Sequence, residues 1–135
     1  MKNLVLVGRL VFGAWMLVNG VNHFFVHLYP EPVGHEPLAV QLMAGLVHSR
    51  LYDVCMTIEL VTGALILTGL YVPVALCVVM PILTCALYWA VGLDHQPAGA
   101  ALALAAYALN GLLMLAYVDD YKGVLQRRAP TFGEA

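Results

Sequence analysis

The sequence of 135 residues has little charge: only 10% of its residues are Asp, Glu, Lys or Arg, whereas 62% are hydrophobic. An ordinary soluble domain carries about 25% charged residues, so this composition excludes a water-soluble domain. The net charge of −2 and the lack of a basic stripe argue against nucleic acid as a partner. The three cysteines form no C-x-x-C pair and no disulfide framework, and we expect them to pack as apolar side chains. What remains is a small membrane protein in contact with lipid.

Four apolar stretches are long enough to cross a bilayer core of about 30 Å as helices. They cover residues 4–28, 51–70, 72–93 and 98–118, and none of them alternates with the period of a β-strand. The predicted fold is therefore all-α, a four-transmembrane-helix bundle in a domain of residues 1–118. Three prolines block a helix at the start of the 30–50 loop, and the apolar segment 38–48 is too short to span, so we expect a short interfacial helix between spans one and two. Residues 119–135 form the predicted polar cytoplasmic tail.

The basic residues predict the orientation of these spans. An even number of spans puts both termini on one side of the membrane. That side carries Lys2, Lys122, Arg127 and Arg128, whereas the other side carries only Arg50. The positive-inside rule then places both termini in the cytoplasm. We expect the protein to lie in the plasma (inner) membrane.

The opposite end collects most of the remaining titratable groups. It carries all the histidines and four carboxylates: His23, His27, His35, His48, His95, Glu31, Glu36, Asp53 and Asp94. Polar residues gather at helix ends for solvation alone, but a cluster of ionisable groups is also typical of a functional site. Both interpretations stay open at the level of sequence.

Span one has polar residues and glycines along nearly the same face. The face is formed by Gly8, Arg9, Gly13, Asn19, Gly20, His23 and His27. Glycines allow helices to approach closely, and lipid rejects polar side chains. We therefore expect this face to point into the bundle.

Glu59 is the strongest candidate for a functional residue. It lies about 12 Å along a helix from Leu51, and Asn19 lies at a similar depth in span one, so Glu59, Asn19, His23 and Thr84 are expected to share one polar layer. A carboxylate at this depth is costly unless it is paired, hydrated or protonated. One interpretation is a buried pair with Arg9 that joins spans one and two. The other is an unpaired acid that takes up and releases a proton.

Two further groups of polar residues are candidate ligand contacts. Asn19, Asn22 and Asn110 suit hydrogen bonds between helices or to a ligand, and Tyr107 is expected to line the interior of span four beside Asn110. His23 and His27 form an H-x-x-x-H pair on one helix face, a geometry that suits zinc, copper or haem. That pair would need His48, Glu36 or His95 as a further ligand, and such a ligand is available only if the loop folds over the bundle.

Several segments resemble the DoxX-like family of small four-helix membrane proteins. They are residues 8–13 (GRLVFG), 19–24 (NGVNHF) and 58–73 (IELVTGALILTGLYVP), and the likeness covers most of residues 3–118. The resemblance implies a small membrane subunit tied to a quinone-linked respiratory enzyme, such as one that oxidises thiosulfate. It also implies that any functional roles shared with that family fall on Arg9, His23 and Glu59 of this chain.

Three functional hypotheses follow. In the first, the protein is a subunit of a quinone-linked redox system with Glu59 and His23 as catalytic groups; the cofactor, a quinone, would contact Arg9, Asn19, Asn22, Asn110 and Tyr107. Because no G-x-G-x-x-G motif is present, the electrons would come from another membrane subunit or a metal centre. In the second, the chain is a non-catalytic assembly subunit of a larger complex or a homo-oligomer. In the third, His23, His27 and His48 hold a metal ion or haem.

Overall fold

The computed structural model describes residues 2–123, and the regular elements of this part of the chain are all helical. Five α-helices follow one another: α1 (Lys2–Val21), α2 (Pro37–His48), α3 (Leu51–Thr68), α4 (Val72–Tyr88) and α5 (Pro97–Ala116). π-Helical turns at Asn22–Val26 and Trp89–Asp94 extend α1 and α4, and a 3₁₀ turn at Val118–Tyr121 follows α5. The all-α prediction with an additional short helix between spans one and two is confirmed. Most of the predicted tail, including Arg127 and Arg128, lies outside the described residues.

Four helical segments are long and apolar enough to cross a membrane. They cover Lys2–Val26, Leu51–Thr68, Val72–Asp94 and Pro97–Ala116, with lengths of 25, 18, 23 and 20 residues. Each end of a predicted span lies within two residues of the corresponding end in the structure. The agreement is close because a long apolar run leaves little freedom in where a membrane helix begins and ends.

The four long helices close into a ring. α1 packs on α3, α3 on α4, α4 on α5, and α5 returns to α1. The centre is filled by apolar side chains from every long helix, including Phe12, Met16, Ile66, Leu76 and Leu113, which are at most 3% exposed. Large apolar side chains also cover the outside of the ring, as expected of a surface that faces lipid.

The bundle has two different ends. The terminal end comprises the start of α1, the end of α5 and the 69–71 turn between α3 and α4. The loop end comprises both π-helical turns, the 27–50 connection and the start of α3 and of α5. The two ends carry different polar chemistry.

Helix α2 is held against the loop end by α4. The buried Asp94 carboxylate accepts hydrogen bonds from the backbone N–H groups of His35 and Glu36, just before α2 begins. The Trp89 indole N–H donates to the Ala39 carbonyl at 3.1 Å. Gly34, with φ of +88°, lies so close to Trp89 that a Cβ there would be 3.2 Å from the indole ring. A residue other than glycine would disturb this docking.

Candidate functional site at the loop end

Glu59 faces the interior of the bundle, as the sequence predicts. It lies on the face of α3 that packs against α1 and is only 6% exposed. Its Oε2 accepts a hydrogen bond from the Asn19 side-chain amide at 3.1 Å. None of the ion pairs formed among residues 2–123 includes Glu59. The carboxyl group therefore has an amide donor but no countercharge in the part of the chain that the structure describes.

Asn19 links Glu59 to the loop end. While its amide nitrogen donates to Glu59, its Oδ1 accepts a hydrogen bond from the Tyr29 hydroxyl at 2.8 Å. Tyr29 is 43% exposed, so a short hydrogen-bonded row runs from a buried carboxyl group to an accessible phenol. Partial burial, and the negative charge of Glu59 when it is ionised, raise the pKa of Tyr29.

His23 lies between two carboxylates at the loop end. Its Nδ1 contacts Glu31, its Nε2 lies 2.9 Å from Asp53 Oδ1, and its side chain is only 14% exposed. Arg50 in turn donates to the other oxygen of Asp53 at 3.2 Å. A ring that meets an acceptor at each nitrogen satisfies both only when both nitrogens carry hydrogen. His23 therefore joins the end of span one to Glu31 in the following loop and to Asp53 in α3, and its ring is able to hold a proton.

Tyr52 connects the His23 group with the Glu59 layer. Its ring lies edge-on to the His23 ring, with centroids 5.2 Å apart. Tyr52 and Glu59 are two helical turns apart on α3 and therefore lie on the same face. The Glu59 carboxyl and the His23 cluster belong to one polar region that extends inward from the loop end.

The predicted metal ligands do not come together. His48 donates from Nδ1 to the carbonyl of Ala44 in its own helix, and His27 is an exposed residue with φ of +54° that ends the π-helical turn. The two His23 nitrogens face in opposite directions, each toward its own carboxylate. Within residues 2–123, no group of three His, Cys, Asp or Glu residues is placed to hold a metal ion. The H-x-x-x-H spacing predicts two imidazoles on one helix face. His27, however, is itself the left-handed residue that ends the π-helical turn, so its side chain does not continue that face.

Glu36 and His95, the other candidate metal ligands, lie elsewhere on the loop end. Both line a shallow hollow of about 320 Å³ between the start of α2 and the end of α4. Neither takes part in the hydrogen bonds of the His23 cluster.

Arg9 does not pair with Glu59, and the predicted pair is wrong. Its guanidinium packs over Gly69, at the terminal end, about 15 Å along α3 from Glu59. The long side chain extends toward the nearer end of its helix, where water or headgroups are available.

Thr84 and Asn22 also differ from the prediction. Thr84 is exposed and donates to the Met80 carbonyl of its own helix, so it does not join the Glu59 layer. Asn22 is buried, but backbone groups of residues 28 and 29 occupy its amide.

Asn110 and Tyr107 lie apart from the Glu59 group. Asn110 is fully buried between α4 and α5, where its amide nitrogen lies 3.1 Å from Met80 Sδ and 3.4 Å from the Leu76 carbonyl. Its Oδ1 has no hydrogen-bond partner among the residues that the structure describes. Tyr107 is partly buried and packs against the apolar core. Neither makes a hydrogen bond to the Glu59 row.

Four residues of this region were not predicted as site residues: Tyr29, Glu31, Tyr52 and Asp53. Tyr29 has the spacing of an interfacial aromatic, and Glu31 lies in a proline-rich loop whose path the sequence does not define. The signal that was present is the accumulation of nine histidines and carboxylates at this end. Two pairings in the structure, His23 with Glu31 and Asp53, and His35 with Asp94, account for five of them.

Comparison of the chain with family models, curated proteins and solved structures gives no match. The resemblance to the DoxX-like family therefore stays a prediction.

Proposed function

We propose that the protein is a small membrane subunit of a quinone-linked redox system, and that the polar region at its loop end binds the quinone headgroup. The observation that carries the proposal is Glu59, a carboxyl group that is 6% exposed, is hydrogen-bonded to Asn19 and has no cationic partner among residues 2–123. Ionisable residues at membrane depth are functional candidates because an unpaired charge there is costly. The resemblance to the DoxX-like family supports the same function.

The chemistry of a quinone matches the groups present. Reduction to the quinol adds two electrons and two protons, and the two carbonyl oxygens receive the protons. A protonated Glu59 can donate a hydrogen bond and then a proton to one of these oxygens, while Asn19 holds the carboxyl group in place. The other oxygen takes its proton from the solvent. The electrons come from a partner redox protein of the complex.

In this proposal the His23 cluster holds protons at the loop end, while Tyr29 and Asn19 keep the Glu59 carboxyl group in place. The Asn19 amide does not itself relay a proton. His23 and its two carboxylates hold a proton near the loop end. Tyr29 connects that end to Asn19 through its hydroxyl. Protons would enter where the chain is accessible and be used where it is buried.

The proposed orientation places the loop end outside the cytoplasm. Lys2 and Lys122 lie at the terminal end and Arg50 at the loop end. By the positive-inside rule, both termini are cytoplasmic in the plasma membrane. Proton exchange by the His23 cluster then occurs with the outer compartment.

Quinone binding by the purified protein tests the proposal. A water-soluble short-chain quinone is titrated while the fluorescence of Trp15 and Trp89 is recorded. Glu59→Leu removes a hydrogen bond to the quinone that is worth about 1.4 kcal/mol, so its affinity should fall about tenfold. Glu59→Gln keeps a donor and should bind within about threefold of the wild type. The control is Glu36→Gln, on an exposed residue outside the Glu59 group.

Activity in membranes separates binding from proton transfer. Quinone-linked oxidation is measured in membranes that contain the native partners. Glu59→Gln should bind quinone but lose most of this activity, because an amide cannot release a proton. If the wild type binds no quinone, or if Glu59→Leu binds and turns over like the wild type, the proposal fails and a non-catalytic assembly subunit is the better hypothesis.

A further inference from the structure

A cavity of about 460 Å³ lies at the terminal end, on the opposite side of the molecule from Glu59. Arg9 of α1 lines it together with Gly69, at the end of α3, and Asp120, in the 3₁₀ turn after α5. The quinone proposal uses none of these residues. The cavity is therefore a separate candidate site.

Arg9 lines this cavity, and its guanidinium has hydrogen-bond donors that are not in use within the described residues. Its Nε is buried and has no hydrogen-bond partner in the part of the chain that the structure describes, and none of the hydrogen bonds or ion pairs formed among residues 2–123 includes its guanidinium. Gly69, with φ of +80°, lies so close that a Cβ there would be 3.3 Å from Nη1. The guanidinium is thus held by packing rather than by a countercharge. An arginine is always charged and presents donors in a planar fork that suits a phosphate group.

The start of α4 adds to the positive potential of the cavity. Val72 and Val74 line it, and both belong to the first turn of a helix that has no side-chain cap. Backbone N–H groups in a first turn lack partners within the helix, and the helix dipole favours an anion there. Pro73 between them has no N–H, so Val72 and Val74 are the residues of this turn in the cavity wall that carry a backbone N–H.

Asp120 gives the cavity a negative side as well. It lines the same space, but its carboxylate forms no ion pair with Arg9. A simple anion would meet repulsion from this carboxylate. A ligand that carries an anion and a cation a few bonds apart would satisfy both sides.

The depth of the cavity indicates a lipid rather than a soluble ligand. It lies where α3 ends and α4 begins, which is the level at which membrane helices meet the headgroups. Tyr71 and Tyr117 line it, and tyrosines are enriched at that level. Val74 is 59% exposed and continues the wall of the cavity into the apolar outer surface, where an acyl chain could lie.

We propose that the cavity binds the headgroup of a phospholipid of the ethanolamine type. The phosphate diester is bound by Arg9 and the first turn of α4, and the primary ammonium is bound by Asp120. An ammonium has three N–H donors for this carboxylate, whereas a choline headgroup has none and a glycerol headgroup has no positive charge.

Lipid binding to the intact purified protein tests this site. The protein is prepared in a detergent that retains lipid, and native mass spectrometry measures binding of dioleoyl-phosphatidylethanolamine, -phosphatidylglycerol and -phosphatidylcholine. The wild type should prefer the ethanolamine lipid. Arg9→Gln should weaken binding of all three lipids about tenfold, because the charge-assisted hydrogen bonds to the phosphate are lost.

Asp120→Asn provides the sharper test, since it changes one charge near the surface and leaves the packing intact. It should reverse the preference, lowering affinity for the ethanolamine lipid and raising that for the glycerol lipid, each about threefold. The matched control is Asp119→Asn, the adjacent carboxylate that is 82% exposed and pairs with Lys122; it should keep the wild-type preference. Arg50→Gln at the loop end should likewise have no effect.

Three outcomes would overturn the proposal. The first is a wild type without preference among the three lipids. The second is an Asp120→Asn variant with unchanged preference. The third is competition by inorganic phosphate as effective as competition by the lipid, which would mean a soluble phosphate site instead. Since none of these measurements uses a quinone, they fail or succeed independently of the function proposed for Glu59.

Discussion

Asn22 shows how one buried amide ends a membrane helix and directs the chain that follows. Its Oδ1 accepts the backbone N–H groups of Leu28 at 2.7 Å and Tyr29 at 3.2 Å, and its Nδ2 donates to the Tyr29 carbonyl at 3.0 Å. Backbone groups that leave a helix at membrane depth need such partners, because lipid offers none. Asn22 thereby fixes Tyr29, whose hydroxyl contacts Asn19 in the Glu59 group.

Asn22→Ala should destabilise the protein by about 1 kcal/mol, because the backbone N–H groups of Leu28 and Tyr29 lose their acceptor and the Tyr29 carbonyl loses its donor. The free energy of unfolding is measured by denaturant titration in mixed micelles. His27→Asn is the control, since His27 is exposed and asparagine tolerates its positive φ. Equal stability of Asn22→Ala and the wild type would show that water replaces the amide at this position.

Some residues of the site were predictable because a large energy fixes their position. Glu59 and Asn19 face inward because lipid contact would cost several kcal/mol, and the helical rise places them at one level. The same rise predicted that the Arg9 guanidinium could reach Glu59. A flexible arginine side chain instead extends toward the nearer membrane surface, where its charge is hydrated at a lower cost in free energy. Thr84 does not have to face the polar layer of Glu59, because its hydroxyl donates a hydrogen bond to a backbone carbonyl of its own helix.

Other residues of the site depended on loop geometry that a pattern of residue types does not contain. Glu31 reaches His23 only because the chain reverses at His27, in the left-handed region, and then runs extended before α2. Single αL residues are uncommon outside glycine and asparagine, so the sequence gives little warning of this reversal.

At the scale of elements, three glycines determine how closely α1 and α3 approach. A Cβ at Gly63 would lie 2.5 Å from the backbone nitrogen of Leu17, and one at Gly20 would lie 2.6 Å from the Leu60 Cβ. Gly13 is almost as tightly packed, with Ile66 and Leu67 3.0 Å from its Cβ position. The glycine face of α1 was predictable from its spacing. Its partner Gly63 was not singled out, because the second span has no row of glycines at helical spacing to mark one face.

Gly63→Ala should therefore destabilise the bundle by at least about 2 kcal/mol, because α1 must move away from α3 to make room for a methyl group. The matched control is Gly111→Ala in α5, where a Cβ meets no atom within 4 Å. That substitution should be neutral or stabilise the protein by up to about 1 kcal/mol, through helix propensity alone. Unfolding in mixed micelles compares the two variants, and equal effects would contradict the role of the contact.

The π-helical turns at the ends of α1 and α4 have a common role. Each is followed by a histidine with positive φ, His27 at +54° and His95 at +55°, whose N–H closes the turn. Each also carries buried polar residues that contact the loop, Asn22 and His23 in one turn and Asp94 in the other. π-Turns commonly occur at functional sites, and here both lie at the loop end beside the proposed proton entry.

At the scale of the whole molecule, the closed ring of α1, α3, α4 and α5 separates two kinds of chemistry by about the thickness of a membrane. The loop end holds the paired carboxylates and histidines that we propose exchange protons. The terminal end holds Arg9 in a cavity suited to a headgroup. A quinone-linked subunit needs its proton-exchanging end on a particular side of the membrane, so its orientation is part of its proposed function.

Cysteine labelling tests that orientation. Cys55, Cys77 and Cys85 are first replaced by alanine or serine, and single cysteines are then introduced at Val33, in the exposed loop, and at Gly123. A membrane-impermeant maleimide applied to intact cells should label the cysteine at position 33 at once. It should label position 123 only after the cells are permeabilised, because the basic residues keep the terminal end in the cytoplasm. The reverse pattern would invert the orientation and direct proton exchange to the cytoplasm. A cysteine at position 2 that reacts on the side opposite to position 123 would contradict the even number of spans, because four membrane crossings must return the chain to the side on which it began.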